Sequence, residues 1–443
     1  MRIQLSDHFT YKKLFRFVAP SIIMMIFTSI YGVVDGLFVS NFVGKTPFAA
    51  INLIMPFLMG IGTIGFMIGT GGSVLVAKTL GEGDKTKSNQ LFSMLIFMTI
   101  ISAITLSIIG IFLLPTVASA MGATGQLFDD CIIYGRIMLI GQTANMLQII
   151  FQSLFSVAEK PNHGLAFTVG AGVANIVLDA LFIAVFQWGL VGAVLATIIS
   201  QVVGGIGPLF YFARKNSSLL RIVKPTFRVA DMLKVCTNGA SGMLTNISSS
   251  IISVLYNLQL MKIAGEDGIA AYGVIMYVNF IFIAIFIGFS IGSAPIVGYH
   301  YGAENHQELK SLLRKGLTLM GIFGVILTIL AQVAAAPLSR IFVGYDADLL
   351  TMTTHAFRLF SLSFVLCGFN VFGAGFFTSL NSGLIAASLS FIRTLIFPAI
   401  AVFVLPIILG INGIWLAVTV AELLALLFTV GSLITQRKKY HYS

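Results

Sequence analysis

Residues 14–41, LFRFVAPSIIMMIFTSIYGVVDGLFVSN, exceed the length of about 20 apolar residues that a helix needs to cross a bilayer, and their one acid, Asp35, lies deep inside the run. Residues 165–186, LAFTVGAGVANIVLDALFIAVF, repeat the pattern around Asp179. A carboxylate at bilayer depth costs roughly 2.5–3.5 kcal/mol on insertion scales, so such residues face a bundle interior or a wet cavity and mark an ion or proton pathway. Both runs therefore point to passage of something across a membrane.

The rest of the chain agrees. Of 443 residues, 57% are hydrophobic and 9% charged, with a mean hydropathy of +0.98; a soluble globule is about 25% charged. Reading apolar stretches of membrane length between loop signals predicts twelve helices, near 14–41, 48–77, 91–118, 132–158, 164–186, 190–213, 232–261, 269–298, 311–337, 352–380, 384–408 and 412–435. The fold class is thus an all-α polytopic membrane protein. The net charge of +10 suggests nucleic acid only if its distribution is ignored. With an even number of spans, one side collects 20 of the 26 Lys and Arg, while the opposite loops hold Lys45, Lys262 and Arg340. By the positive-inside rule the basic side, with both termini, is expected to be cytoplasmic. No cleavable signal peptide is expected, because the first apolar stretch is too long and lacks a small-residue cleavage site. Cys131, Cys236 and Cys367 are odd in number and scattered, which indicates neither a disulfide framework nor a metal site.

The chain also reads as a duplication. Gly65-Phe66-Met67-Ile68-Gly69-Thr70-Gly71 recurs as Gly288-Phe289-Ser290-Ile291-Gly292-Ser293-Ala294, and each copy leads into a charged turn, Gly81-Glu82-Gly83-Asp84 or Gly302-Ala303-Glu304-Asn305. Gly189-Leu190-Val191-Gly192 likewise resembles Gly410-Ile411-Asn412-Gly413. The longest polar segment, 214–231, is read as a linker between an N-lobe, 1–213, and a C-lobe, 232–443. Six spans per half put both halves in the same orientation, so the repeats are expected to be parallel, related by an axis along the membrane normal.

Asn175 and Asp179 are four apart and share one helical face. Thr197 and Gln201 repeat that spacing, and Gln142, Asn145, Gln148 and Gln152 form a polar stripe on the fourth span. With Asp35 they can enclose a hydrated cavity in the first half. Such oxygens suit hard cations, and two carboxylates in a low dielectric hold at least one proton between them. The cluster is therefore suited to a proton, Na⁺, or each in turn, against the plain alternative that its neutral members are interhelical hydrogen bonds. Pro20, fifteen residues before Asp35, marks either a hinge or a helix start. In the second half the acid inside a later span is Glu422, which Arg393 is expected to neutralise, and Asn246, Tyr256, Asn257, Tyr272 and Met276 offer a pliable amphipathic surface for a substrate.

At this point the residues resemble a known family. Asn175-Ile176-Val177-Leu178-Asp179-Ala180-Leu181-Phe182-Ile183, the run from Gly189 to Gln201, and Asp35-Gly36-Leu37-Phe38-Val39 are similar to the fifth, sixth and first helices of multidrug and toxic compound extrusion (MATE) transporters. The resemblance implies two six-helix lobes in a V shape and export of organic, often cationic, compounds against inward H⁺ or Na⁺. It places Asp35, Asn175, Asp179 and Thr197 in the family's N-lobe cation site and Pro20 at its bending proline, with Asn145, Gln148 and Gln152 near a polar position of the fourth helix. Ala180 replaces a proline common after the aspartate, and the C-lobe acids of one branch are missing. The expected protein is a non-enzymatic, monomeric cell-membrane antiporter with no cofactor beyond its coupling ion, whose partners are lipid and small organic molecules. A lipid-linked oligosaccharide flippase of the same superfamily is the rival; it calls for a basic central cavity, whereas this chain places acids there. A channel would assemble a ring of equivalent groups, and an intramembrane enzyme would need a nucleophile and base or a metal cluster, which the dispersed His8, His163, His300, His306, His355 and His441 do not suggest.

Overall fold

The computed structural model describes residues 3–442, without the side chains of residues 33, 37, 40, 41 and 45. Within these bounds the regular structure is helical, as hydrocarbon demands: a spanning segment must satisfy every backbone polar group internally. The first half contains α1 (Tyr11–Phe42), α2 (Lys45–Gly81), α3 (Lys85–Ala120), α4 (Gly125–Val157), α5 (Pro161–Asp179) and α6 (Gly189–Ala213). Beyond Asp179, α5 continues as a π-helical segment, Ala180–Val185.

Residues 214–228 carry no helix, and then Val229–Gly302 runs for 74 residues. A straight helix of that length would measure about 111 Å, several times the thickness of a bilayer core. Gly265, at φ 64° and ψ −149°, breaks it, so residues 229–264 and 266–302 are two separate spans, α7 and α8. There follow α9 (His306–Val343); α10, in which Ala347–Ser361 and Phe364–Ser379 meet at 46°; α11 (Gly383–Leu409), widened at Ile392–Ile396 into a second π-helical segment; and α12 (Ile411–Gln436). Among the described residues ten helices are long and apolar enough to cross a membrane, and the bent pair makes an eleventh. Dividing the 74-residue helix at Gly265 gives the twelve expected from the sequence.

The duplication is visible down to the turns. Asp84 caps α3 by accepting the Lys87 N–H at 2.9 Å, and Asn305 caps α9 by accepting the Glu308 N–H at 3.1 Å. Before each cap stands one residue in the left-handed region, Gly83 (φ 87°) or Glu304 (φ 53°). Glu159 (φ 56°) and Asn381 (φ 55°) are a second such pair, in the turns before α5 and α11.

Residues 3–10 and 437–442 lie at one end of the bundle, where the Leu5 N–H bonds Glu159 and the Tyr440 ring lies 6.1 Å from Tyr301. At this end the halves meet without a gap. A β-carbon on Gly81 would overlap the carbonyl oxygen of Tyr299, and one on Gly302 would overlap that of Lys78, so α2 and α8 approach to a separation that only glycine allows. One apolar cluster runs through both halves, including Phe9, Leu75, Phe289, Phe372 and Trp415. A second, with Val39, Ile54, Leu139, Ile183 and Val194, belongs to the first half alone.

Candidate functional site

Asp35 projects from the last third of α1, and Asn175 and Asp179 project from the last turns of α5. These two helices pack closely because residue 172 is glycine: a β-carbon there would stand 3.1 Å from Tyr31 Cδ1. Asp179 is 0% and Asn175 1% exposed. The Asp35 carboxylate lies within interaction range of both. Asp179 is the residue at which α5 passes into its π-helical segment, a distortion that recurs at functional sites because it redirects side chains out of the regular helical register.

The unusual feature is what these groups lack. Among the described residues, no hydrogen-bond partner reaches Asp35 Oδ1, either carboxylate oxygen of Asp179, or either side-chain amide atom of Asn175. Leaving one buried polar group unpaired costs about 1–3 kcal/mol, and a charge costs more. Five such atoms on adjacent turns are an expensive arrangement for a purely structural contact. Two acceptor-only carboxylates beside an amide oxygen are complementary to a proton or a hard cation, which would supply the missing positive partner.

Two groups that the sequence did not assign to the pair lie beside it. Tyr31, one turn before Asp35 on the same face, interacts with Asp35 and with Gln148 of α4. Tyr134 of α4, 3% exposed, lies within electrostatic range of both aspartates. The i,i+4 spacing of Tyr31 and Asp35 was a usable signal; nothing in the local sequence of Tyr134 marks it.

The other expected site residues are placed as follows. Gln148 (6% exposed) packs on Gly204 of α6, and Gln152 is buried a turn further along α4. Gln142 is fully buried with both amide atoms unpartnered, and it faces Gly62 of α2 together with Asn145. Thr197 donates its hydroxyl proton to Ala193 O at 3.1 Å, so its lone pairs are what it can offer a ligand; Gln201 Oε1 has no partner among the described residues. Pro20 is interior to α1, ten residues into the helix, rather than in its opening turn.

In the second half, Tyr256 and Tyr272 stack on each other with ring centroids 5.0 Å apart and planes 6° apart, and at 1% and 6% exposed they are part of the core. Asn246 bonds back to Gly242 O at 3.0 Å, while Asn257 and Met276 are half-buried. Arg393 grips Glu422 with Nη2–Oε1 at 2.8 Å and Nε at 3.0 Å from both carboxylate oxygens; Asn370 Nδ2 donates to Oε2 at 2.7 Å. The acid inside a span of this half is thus matched, whereas Asp35 and Asp179 of the first half have no such basic partner among the described residues.

The model of the MatE family matches residues 20–181 and, a second time, 242–404, one copy in each half. The chain belongs to the MatE family. As a MATE protein it is 25% identical over 416 residues to the multidrug export protein MepA of Staphylococcus haemolyticus (strain JCSC1435), covering 93% of this chain and 90% of the relative. It is 23% identical over 429 residues to MepA of Staphylococcus aureus (strain MSSA476), covering 94% and 92%. Its backbone superposes with a TM-score of 0.93 on a solved outward-facing multidrug resistance MATE family transporter of the MOP superfamily, which is 22% identical, covering 98% of each chain. The fold of this MATE protein is therefore the two-lobed, duplicated helical bundle of that family.

Proposed function

We propose that this MATE protein is an antiporter of the cell membrane that expels organic, cationic amphipathic compounds in exchange for inward-moving H⁺ or Na⁺. Its two lobes would rock about their shared apolar core to give alternating access, with the basic end and both termini in the cytoplasm. The observation that carries this reading is the pair Asp35 and Asp179 with Asn175, where Asp35 Oδ1, both Asp179 carboxylate oxygens and the Asn175 amide atoms are buried with no partner among the described residues. An arriving cation or proton relieves their repulsion and desolvation, and it favours whichever lobe arrangement brings α1 and α5 into the geometry that binds it best. A ligand shifts such an equilibrium only through its differential affinity for the two states, so binding of the coupling ion and release of the exported compound are linked through the shape of the N-lobe. The relatives named as multidrug export proteins support the substrate class. The test is efflux of a fluorescent organic cation from proteoliposomes under a pH gradient alone and under a Na⁺ gradient alone. Saturable efflux with one gradient identifies the ion, and no efflux with either removes the reading.

A further inference from the structure

The eight residues before α1 lie across the junction of the lobes. Leu5 donates its N–H to Glu159 Oε1 at 2.8 Å, and Glu159 belongs to the turn between α4 and α5 in the N-lobe. Asp7 accepts the Gln4 N–H at 2.9 Å and pairs with Lys13 Nζ at 2.7 Å, which fixes the bend into α1. The middle of this segment is held by the C-lobe. Glu308, in the first turn of α9, accepts the Phe9 N–H on Oε1 at 2.9 Å and contacts His8 Nδ1 through Oε2 at 2.6 Å, while Lys315, two turns on, donates to the Phe9 carbonyl and to Ser311 Oγ. The Phe9 side chain, 0% exposed, sits edge-on to Phe17 of α1 at 6.0 Å and to His300 of α8 at 6.4 Å, one ring from each lobe.

We propose that residues 3–10 are a strap that clasps the two lobes together at the end bearing the termini, with Glu308 as its catch, and so sets the balance between the two access states. The strap is anchored to the N-lobe at both ends, through Glu159 and through its continuation into α1. Its contacts with Glu308, Lys315 and His300 therefore exist only while that end is closed. The catch is a carboxylate only 5% exposed that receives a backbone N–H, and hydrogen bonds to ionised groups are the stronger kind. When the lobes part, Glu308 and the Phe9 backbone return to water and Phe9 leaves its apolar slot. Contacts present in one state alone favour that state by their whole free energy. The clasp rests on the two-state reading of the lobes proposed above, but it requires neither a drug nor an ion gradient.

The experiment measures lobe separation directly in the full-length chain in nanodiscs. Thr86→Cys and Gln307→Cys place a spin label on an exposed position of each lobe at the strap end, in a background in which the three native cysteines are alanine, and distances are read by pulsed dipolar spectroscopy. Glu308→Ala is expected to raise the ratio of separated to closed populations by roughly tenfold or more, the effect of losing hydrogen bonds to a charged group. Glu308→Gln, which keeps the shape and one acceptor oxygen, gives a smaller shift in the same direction and serves if the alanine variant does not fold. Leu5→Pro, which removes the N–H that Leu5 donates to Glu159 Oε1, also shifts the ratio toward separation. An unchanged distance distribution in the folded Glu308 variant, or a single short distance in every variant, overturns the clasp. A shift in a chain that exports nothing would leave the clasp standing and remove the transport reading instead.

Discussion

The carboxylate of Asp179, at the last α-helical residue of α5, interacts across the helix contact with that of Asp35 on α1, and neither oxygen of Asp179 has a hydrogen-bond partner among the described residues. This relationship separates the first half from the second. In the second half Glu422 is saturated by Arg393 and Asn370. In the first the acids face each other, which leaves a function for the missing positive charge.

Asp35→Asn and Asp179→Asn should each abolish gradient-driven efflux at near-normal expression, because the isostere keeps the shape and loses the charge. The double variant should be little worse than either single one, since groups acting as a unit are non-additive. Efflux at wild-type rate in both single variants, at matched protein level, would remove the pair as the coupling site.

Tyr31→Phe should weaken the apparent affinity for the coupling ion several-fold while leaving maximal efflux nearly unchanged. The hydroxyl hydrogen-bonds Gln148 and lies within electrostatic range of Asp35, and one such hydrogen bond is worth about 1 kcal/mol. Titration of efflux against the ion at fixed substrate checks this; a fall in maximal rate at unchanged affinity would assign Tyr31 to the conformational step instead.

Glu422→Ala should destabilise the protein without altering ion dependence. Arg393 would be left uncompensated at 11% side-chain exposure, and breaking a buried pair costs about 3–5 kcal/mol. Replacing both residues by Arg393→Met and Glu422→Leu should restore most of the thermal midpoint measured in detergent. Loss of ion-coupled efflux in a well-folded double variant would instead give the pair a part in transport.

Helix number, the duplication and the place of Asp35 and Asp179 inside membrane-length helices were legible in the sequence, because each follows from composition or period: apolar runs of bilayer length, recurring glycine motifs, and charges where hydrocarbon excludes them. Residue 265 could be read as a break, since glycine is followed there by Glu266 and Asp267, and the pairing of Arg393 with Glu422 follows from the shortage of other counter-charges in those spans. The place of Tyr134 was not legible, because its distance to the aspartates depends on how α4 crosses α1 and α5. Nor could the sequence tell that Tyr256 and Tyr272 stack on each other in the core; an amphipathic side chain looks the same in a string whether it lines a cavity or a helix contact. Nothing in the sequence around Glu308 marks it either, because its partners at residues 8 and 9 reach it only through the fold.

Gly302→Val should drive the two lobes apart at the strap end. Gly81 and Gly302 occupy matching places in the two repeats and let α2 and α8 approach so closely that a β-carbon on either would overlap the partner's backbone carbonyl. A flexible neighbouring side chain could swing aside, but the obstructing atoms are the carbonyl oxygens of Lys78 and Tyr299, so relief requires helix movement. Overpacking of this kind costs about 1–3 kcal/mol, and only the closed arrangement bears it, so the separated one gains by that amount. Cys236 is half-buried near the start of α7, whereas Cys131 and Cys367 are buried, so maleimide labelling of the otherwise native chain reports chiefly on Cys236. Its labelling rate should rise several-fold in Gly302→Val and less in Gly302→Ala. Equal rates in the valine variant and the wild type, with both folded, would show that α2 and α8 absorb the side chain without opening.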